Sequence, residues 1–257
     1  MNHHSDPTQY ARRFGGIERL YGAPAALALR QAHVCVAGVG GVGSWAVEAL
    51  ARSGVGALTL IDLDNVAPSN ANRQIHTLTD QFGRPKVDAL AERIGGINPE
   101  CRVTCIEEFV DEDNAAELLA EPFDFVIDAV DQVRAKAAMA ALLVGLRRPF
   151  VVSGGAGGQR NPALIRTADL SQTTHDPLLS SLRYTLRRRY GFARGGAVMR
   201  VPCIYSLEQP VPPQNAACGT APQGLSCAGY GACMTVTAAF GLYCAQAAVE
   251  QIVRRAC

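Results

Sequence analysis

From residue 33 onward, short apolar runs alternate with amphipathic stretches. That alternation is the pattern of a parallel sheet whose strands are joined by crossover helices. HVCVAG at 33–38 reads as a buried strand, followed by a glycine turn and a helix over 42–52. ALTLID at 57–62 is the second strand and ends in acid; a long polar connection over 63–84 leads to a helix over 85–94. A strand over 101–107, a helix over 111–119 and the strand FDFVID at 123–128 come next. A helix over 132–146 and a strand over 149–153 complete this half. After Gly154 the character changes: GGAGGQ gives way to a strand over 163–167 and an arginine-dense segment. A Pro/Gln/Gly-rich stretch over 209–231 reads as irregular, and an apolar helix closes the chain without any internal repeat. The expected fold class is α/β, a doubly wound, Rossmann-like, mostly parallel sheet with a C-terminal substrate-facing extension. Residues 1–155 would form the N-terminal segment and nucleotide-binding unit, and 156–257 an extension of the same domain.

A chain of 257 residues, 48% hydrophobic, can bury a sizeable core and is too apolar for disorder. With 24 basic against 23 acidic side chains it is not a globally basic nucleic-acid binder, although a local basic patch stays open. Only Lys86 and Lys136 among those 24 are lysines, which makes each of them informative. Nine cysteines are an odd number without any CxxC pair, and the polar stretch 1–13 lacks the apolar core of a signal peptide. Together these predict mostly free thiols in a reducing cytoplasm. The apolar stretch 232–253 includes Thr235, Thr237, Gln246, Glu250 and Gln251, so it reads as a buried helix, and no membrane span is expected.

Candidate chemistry begins at Gly38-Val-Gly40-Gly41-Val-Gly43-Ser44, which fits GxGxxG between a strand and a helix. Glycines there allow a tight turn and a close backbone approach to phosphate oxygens, which a helix N-terminus attracts. Asp62, nineteen residues after Gly43, is placed to bind ribose hydroxyls. NAD-dependent dehydrogenases share both features, so they do not choose the nucleotide. The following segments do: Asp62-Leu-Asp64, Ser69-Asn70-Ala71-Asn72-Arg73-Gln74, Gly83-Arg84-Pro85-Lys86 and Asp128-Ala-Val-Asp131. A dinucleotide has two phosphates, already served by the turn. A triphosphate brings about four negative charges and a magnesium ion, and needs cations and an acid. Arg73 and Lys86 supply the cations, and Asp131, just past a strand end, supplies the acid. Singly, these could be a solvated loop residue, a surface helix residue and a helix cap; together they point to ATP with magnesium.

In this order GxGGxGS, DxD, SNxNRQ, GxxK and DxxD resemble the adenylating superfamily of ubiquitin-activating-like enzymes, which includes the ThiF and MoeB branches. The resemblance runs from residue 13 to 155 and implies activation of a carboxylate by ATP, giving an acyl adenylate and pyrophosphate. It implies that Gly38, Gly40, Gly41 and Gly43 hold phosphates and that Asp62 holds ribose, with Asp64 and Gln74 in the same site. It further implies that Asn70, Arg73 and Lys86 contact phosphates and that Asp131 serves magnesium. Homodimers, in which an N-terminal arginine reaches into the partner's site, are implied as well. Arg13 and Arg19 are the candidates, Gly16 standing where the family's RYxRQ has its second arginine.

Branches that activate ubiquitin-like or sulfur-carrier proteins usually carry two CxxC pairs for structural zinc, which this chain lacks. Cys101 and Cys105 read as core or surface thiols, Cys227 and Cys233 as weak functional candidates, and His76 and His175 as structural or surface residues. RFGGIERLYG, SGGAGGQRNP, SCAGYGACMTVTAAFGL and the arginine-rich insertion followed by VPPQ resemble a third branch, the tRNA threonylcarbamoyladenosine dehydratases. That resemblance covers nearly the whole chain. It implies a carboxylate on a modified adenosine beside the anticodon, activated by ATP and closed into a ring with loss of one water. No protein nucleophile is then required, and a sulfur-relay partner protein is optional. Independently, residues 177–207 hold no acid but six arginines, Arg183, Arg187, Arg188, Arg189, Arg194 and Arg200, interleaved with Tyr184, Tyr190 and Phe192. Cations for phosphates and rings for bases make Arg183, Arg187, Arg188, Arg189 and Arg194 candidate tRNA binders. Leu182, Leu186 and Tyr190 at four-residue spacing make part of that segment an ordinary amphipathic helix. The rival readings are adenylation of a carrier protein's C-terminal glycine, an NAD-dependent oxidoreductase, and a nucleotide-binding protein without turnover.

Overall fold

A computed structural model describes residues 7–212 and 230–256. Cys218, Cys227, Cys257 and most of the irregular stretch expected over 209–231 therefore lie outside the described residues. The chain opens with two helices, α1 (Pro7–Tyr21) and α2 (Ala23–Gln31), which the apolar pattern did not reveal. The nucleotide-binding half then alternates β1 (His33–Ala37), α3 (Gly43–Arg52), β2 (Ala57–Ile61), α4 (Lys86–Ile97) and β3 (Arg102–Ile106). A one-turn α5 (Ala115–Leu118), β4 (Phe125–Asp128), α6 (Val133–Gly145) and β5 (Phe150–Ser153) follow. Then come β6 (Ile165–Asp169), α7 (Pro177–Arg189), β7 (Pro202–Ser206) and the long α8 (Met234–Ala256).

Among the described residues seven strands form one sheet in the order β3-β2-β1-β4-β5-β7-β6, parallel except for β6, which runs antiparallel to β7. The α/β doubly wound class is as the sequence implied, and β6 and β7 continue the same sheet. Strand β7 is a correction, because the sequence reading left 202–206 without an element. Helix α5 is another: only 115–118 is helical where 111–119 was expected. Asp111 and Asn114 fold the approach into side-chain turns. Asp111 Oδ1 accepts from the backbone N–H of Asp113 and Asn114, while Asn114 Nδ2 donates to the Phe109 carbonyl. Such local bonds compete with helical ones.

Two apolar layers sandwich the sheet. One packs α2, α3, α4 and α8 against it through residues such as Leu29, Leu50, Ile94 and Phe240. The other packs α6 and α7 through Met139, Leu143, Leu179 and Leu186. Helix α8 is long and apolar enough to cross a membrane, yet over half of that apolar window is buried inside the fold. At Gly241 an added Cβ would lie 2.4 Å from the Val42 carbonyl oxygen, so α8 presses directly on the start of α3. That contact locks the C-terminal helix to the turn where the nucleotide chemistry begins.

His76 is 2% exposed and neither ring nitrogen has a partner among the described residues. Burial, assisted by the Lys86 and Arg93 charges, pushes its pKa down to about 4. A histidine depressed in the folded state stabilises above its ordinary value of 6.5, and that stability is lost as pH falls from there towards 4. The loss approaches roughly 3 kcal/mol. Urea midpoints at pH 7 and pH 4.5 should therefore converge for His76→Phe relative to wild type. Equal acid sensitivity of the two proteins would remove His76 as the cause.

Candidate nucleotide-binding and activation site

The glycine turn contains glycines of two kinds. Gly38 has φ +81°, and a Cβ there would sit 2.8 Å from the backbone of Ala129 and Val130. A Cβ on Gly43 would fall 1.8 Å from the Gly38 carbonyl oxygen. These two glycines let the chain pack on itself. Gly40 and Gly41, together with Gly38, line a cavity of about 530 Å3 at the carboxyl ends of the strands, the position at which doubly wound sheets bind ligands. Helix α3 starts at the cavity edge, its Ser44 N–H donating to the Gly40 carbonyl at 3.1 Å.

Acidic and basic groups converge on the same cavity. Asp62, at the end of β2, accepts the Val39 N–H on Oδ2 at 2.8 Å and the Asp64 N–H on Oδ1 at 2.9 Å. Burial raises the pKa of its carboxyl and the Lys86 charge opposes that rise. Lys86 opens α4 and is 4% exposed. Its Nζ lies 2.6 Å from Asp64 Oδ2 and 3.8 Å from Asp62 Oδ1. Asn70 shapes the turn before Arg73, its carbonyl accepting from the N–H groups of Arg73 and Gln74 at 3.0 Å. Arg73 lays its Cγ and Cδ along Gly41 and bonds the Ser69 carbonyl at 2.9 Å. Asn72 Nδ2 donates to the Ala232 carbonyl at 2.7 Å, tying this loop to the segment before α8, whose Thr237 also reaches the cavity.

Asp131 stands exposed on the cavity wall between β4 and α6. The helix-capping role is not its own: Gln132 holds that position and no side chain caps α6. Among the described residues no three His, Cys, Asp or Glu side chains converge as a metal cage. Asp131 is one of four exposed carboxylates on this cavity, with Asp64, Glu108 and Asp111. Such a lining suits magnesium, which keeps most of its waters and is held by one or two carboxylates together with substrate phosphates.

The structure thus gathers Gly38, Gly40, Gly41, Asp62, Asp64, Asn70, Arg73, Lys86 and Asp131 at one cavity. Gly43 and Gln74 stand behind its wall, Gln74 buried with Oε1 unpartnered. Arg13 is elsewhere: it donates to the Gly96 and Ile97 carbonyls at 3.2 and 2.9 Å, capping the end of α4 opposite Lys86. Along a helix of this length the two ends are about 16 Å apart, so Arg13 does not reach the cavity of its own chain. Sequence reasoning missed Phe109, exposed on the cavity wall, and the Ser153–Ala156 floor. It also missed a buried pair beneath the site. Lys136 Nζ lies 2.8 Å from Asp128 Oδ1, both side chains being fully buried.

The arginine-rich segment is mixed in role. Arg183 bonds the Leu170 and Thr173 carbonyls, Arg187 bonds that of Ala193, and Arg189 pairs with Glu112. Arg188 lies along Tyr184, donating to its hydroxyl at 2.7 Å, and Arg194 is exposed. The first three are therefore also structural clamps.

A doubly wound sheet with a glycine turn at its strand ends and Asp62, Arg73, Lys86 and Asp131 around one cavity has the architecture of a nucleotide-binding protein of the adenylating class. The chain belongs to the ThiF family, whose model matches residues 10–256. It is 44% identical over 256 residues to the tRNA threonylcarbamoyladenosine dehydratase of Escherichia coli K12, covering 96% of each chain. The crystal structure of the E. coli enzyme, TcdA, in complex with ATP superposes with a TM-score of 0.89 at 44% identity, over 96% of both chains. The molybdopterin-synthase adenylyltransferase of E. coli is 36% identical over 129 residues, half of this chain. The branch read from the sequence is thereby borne out over the carrier-protein and NAD-dependent alternatives.

Proposed function

We propose that this chain dehydrates threonylcarbamoyladenosine beside the anticodon of tRNA, using ATP. The full-length similarity to the E. coli dehydratase carries this reading, and the single cavity containing Asp62, Arg73 and Lys86 gives it a physical basis. A carboxylate oxygen of the modification attacks the α-phosphorus and pyrophosphate departs. A nucleophilic atom of the same modification then attacks the activated carbonyl carbon, AMP leaves carrying the former carboxylate oxygen, and a ring closes. The backbone at Gly40 and Gly41 and the α3 N-terminus would cradle phosphates, while Asp62 fixes the ribose. Arg73 and Lys86 neutralise charge that grows on the phosphates. Asp131 would hold magnesium, whose chemistry is to shield the phosphates. Orientation and charge neutralisation are sufficient without a protein nucleophile.

The thiols agree with this. Cys35, Cys203 and Cys244 are buried and burial pushes their pKa values up. Exposed Cys233, its thiol pKa lowered by hydrogen bonds with Thr235, is the one described candidate for a sulfur-relay partner. Six free thiols among the described residues suit a reducing, cytoplasmic setting. A homodimer remains part of the proposal, with Arg13 or Arg19 crossing into the partner's site.

Nucleoside mass spectrometry tests the reading. tRNA carrying threonylcarbamoyladenosine, incubated with the protein, ATP and magnesium, should yield a nucleoside lighter by one water, absent without ATP. An unchanged nucleoside alongside active ATP–pyrophosphate exchange with a carrier protein would move the function to that protein. For the basic segment, Arg188→Glu and Arg194→Glu should each weaken tRNA binding roughly tenfold and lower its salt slope by about one, with ATP affinity unchanged. Equal loss of both affinities would make the segment structural.

A further inference from the structure

The nucleotide cavity does not end at its floor. Gly155 and Leu178 form a wall whose other side is a narrow neck of about 20 Å3 bounded by Pro177, Pro210 and Tyr230. Pro177, Pro210 and Tyr230 in turn border a third depression of about 360 Å3, lined by Thr174, His175, Ser180, Arg183 and Gln209. Their shared residues set the three depressions side by side across the start of α7. We infer that the outer depression receives the ribose-phosphate and base of the RNA nucleotide next to the modified adenosine. This rests on the dehydratase reading above.

The lining chemistry supports a nucleotide. Two hydroxyls, an amide, an imidazole and a guanidinium supply donors for a phosphodiester and ribose, and the Tyr230 ring offers a stacking surface. Among the described residues the one acid on the wall, Asp176, has both oxygens engaged. Oδ1 accepts from the Leu179 N–H and Oδ2 from the Gly155 N–H, each at 2.9 Å. Arg183 keeps its positive charge while bonding the Leu170 and Thr173 carbonyls. The volume lies within the range of small-ligand pockets. Direction agrees too. Arg183 borders the depression, and Arg187 and Arg188 follow about one helical turn later. A strand of RNA with one base in the cavity would therefore pass over the outer depression and onto the basic end of α7.

Thr174 and Ser180 are exposed and lie outside the nucleotide cavity, so Thr174→Glu and Ser180→Glu place a repelling charge in the outer depression alone. Thr104→Glu, exposed on β3 at the opposite edge of the sheet, is the control. The Thr174 and Ser180 variants should both raise the KM for tRNA and its Kd by filter retention at least tenfold, with ATP affinity by calorimetry within twofold of wild type. Thr104→Glu should behave as wild type. Unchanged tRNA parameters in both the Thr174 and Ser180 variants overturn the inference, as does a parallel loss of ATP affinity. Wild-type protein that binds tRNA yet leaves threonylcarbamoyladenosine intact would sink the dehydratase reading, and the filter-binding arm would still judge the outer depression.

Discussion

Lys86→Ala is expected to lower the single-turnover rate of tRNA dehydration roughly 10²–10³-fold, the range found when one preorganised charge-stabilising donor is removed. Its ammonium is almost entirely buried, opens α4 at the cavity, and is aimed by Asp64 at 2.6 Å with Asp62 at 3.8 Å. In such a setting a positive charge interacts far more strongly with the leaving pyrophosphate than it would in water. Lys86→Arg should not rescue, because a planar fork does not fit where a compact ammonium is enclosed. The variant also leaves Asp62 without its cation, so the Asp62 carboxyl pKa, already raised by burial, should rise further. Thermal unfolding run alongside separates this effect from catalysis. A single-turnover rate within threefold of wild type, in a folded variant, would take Lys86 out of the adenylation step.

Much of this site was legible because its parts are local in sequence. SNxNRQ places Asn70 and Arg73 on one turn, and GxxK starts a helix with its lysine, so short motifs that carry the family resemblance located them. Spacing does not tell which glycines serve the ligand. Gly38 and Gly43 are demanded by backbone contacts on Ala129 and on Gly38 itself, whereas an added Cβ on Gly40 or Gly41 would meet only side chains; Gly38, Gly40 and Gly41 all line the cavity. The N-terminal helices escaped because 1–31 carries no apolar run like those of the strands. Strand β7 was hidden because it begins at Pro202, after a turn-rich stretch of glycine and arginine. The basic segment reads as uniformly available in sequence, yet backbone carbonyls engage Arg183 and Arg187 and Glu112 engages Arg189. Partners distant in sequence decide such roles. The same holds for Lys136: its surroundings in α6, VRAKAAMAALLVG, offer no polar face, which was the one available sign that it is buried.

Lys136→Met should destabilise the fold by about 3–5 kcal/mol, the cost of removing one partner from a buried ion pair. Asp128 is fully buried at the end of β4, its Oδ2 has no partner, and Oδ1 meets the Lys136 ammonium at 2.8 Å and the Val130 N–H at 3.2 Å. Burial raises the Asp128 pKa and Lys136 opposes it, so without the lysine the carboxyl should be held neutral to higher pH. The sign follows from linkage. A carboxyl whose folded pKa is raised is favourable below its unfolded value, and that advantage disappears as pH rises through the folded one. The deficit of Lys136→Met should therefore be smallest in acid and grow towards neutral pH. Asp128→Ala combined with Lys136→Met removes both charges and should recover much of the loss, because a buried pair contributes little net stability over apolar replacements. Ala129, Val130 and Asp131 follow Asp128 directly, so the pair also sets the loop on which Asp131, the proposed magnesium ligand, stands. Recovered stability with lowered turnover is the outcome that assigns the pair to positioning. A double variant as unstable as the single one would show that losing the Asp128 side chain, with its bond from the Val130 N–H, costs as much as leaving its charge unpaired.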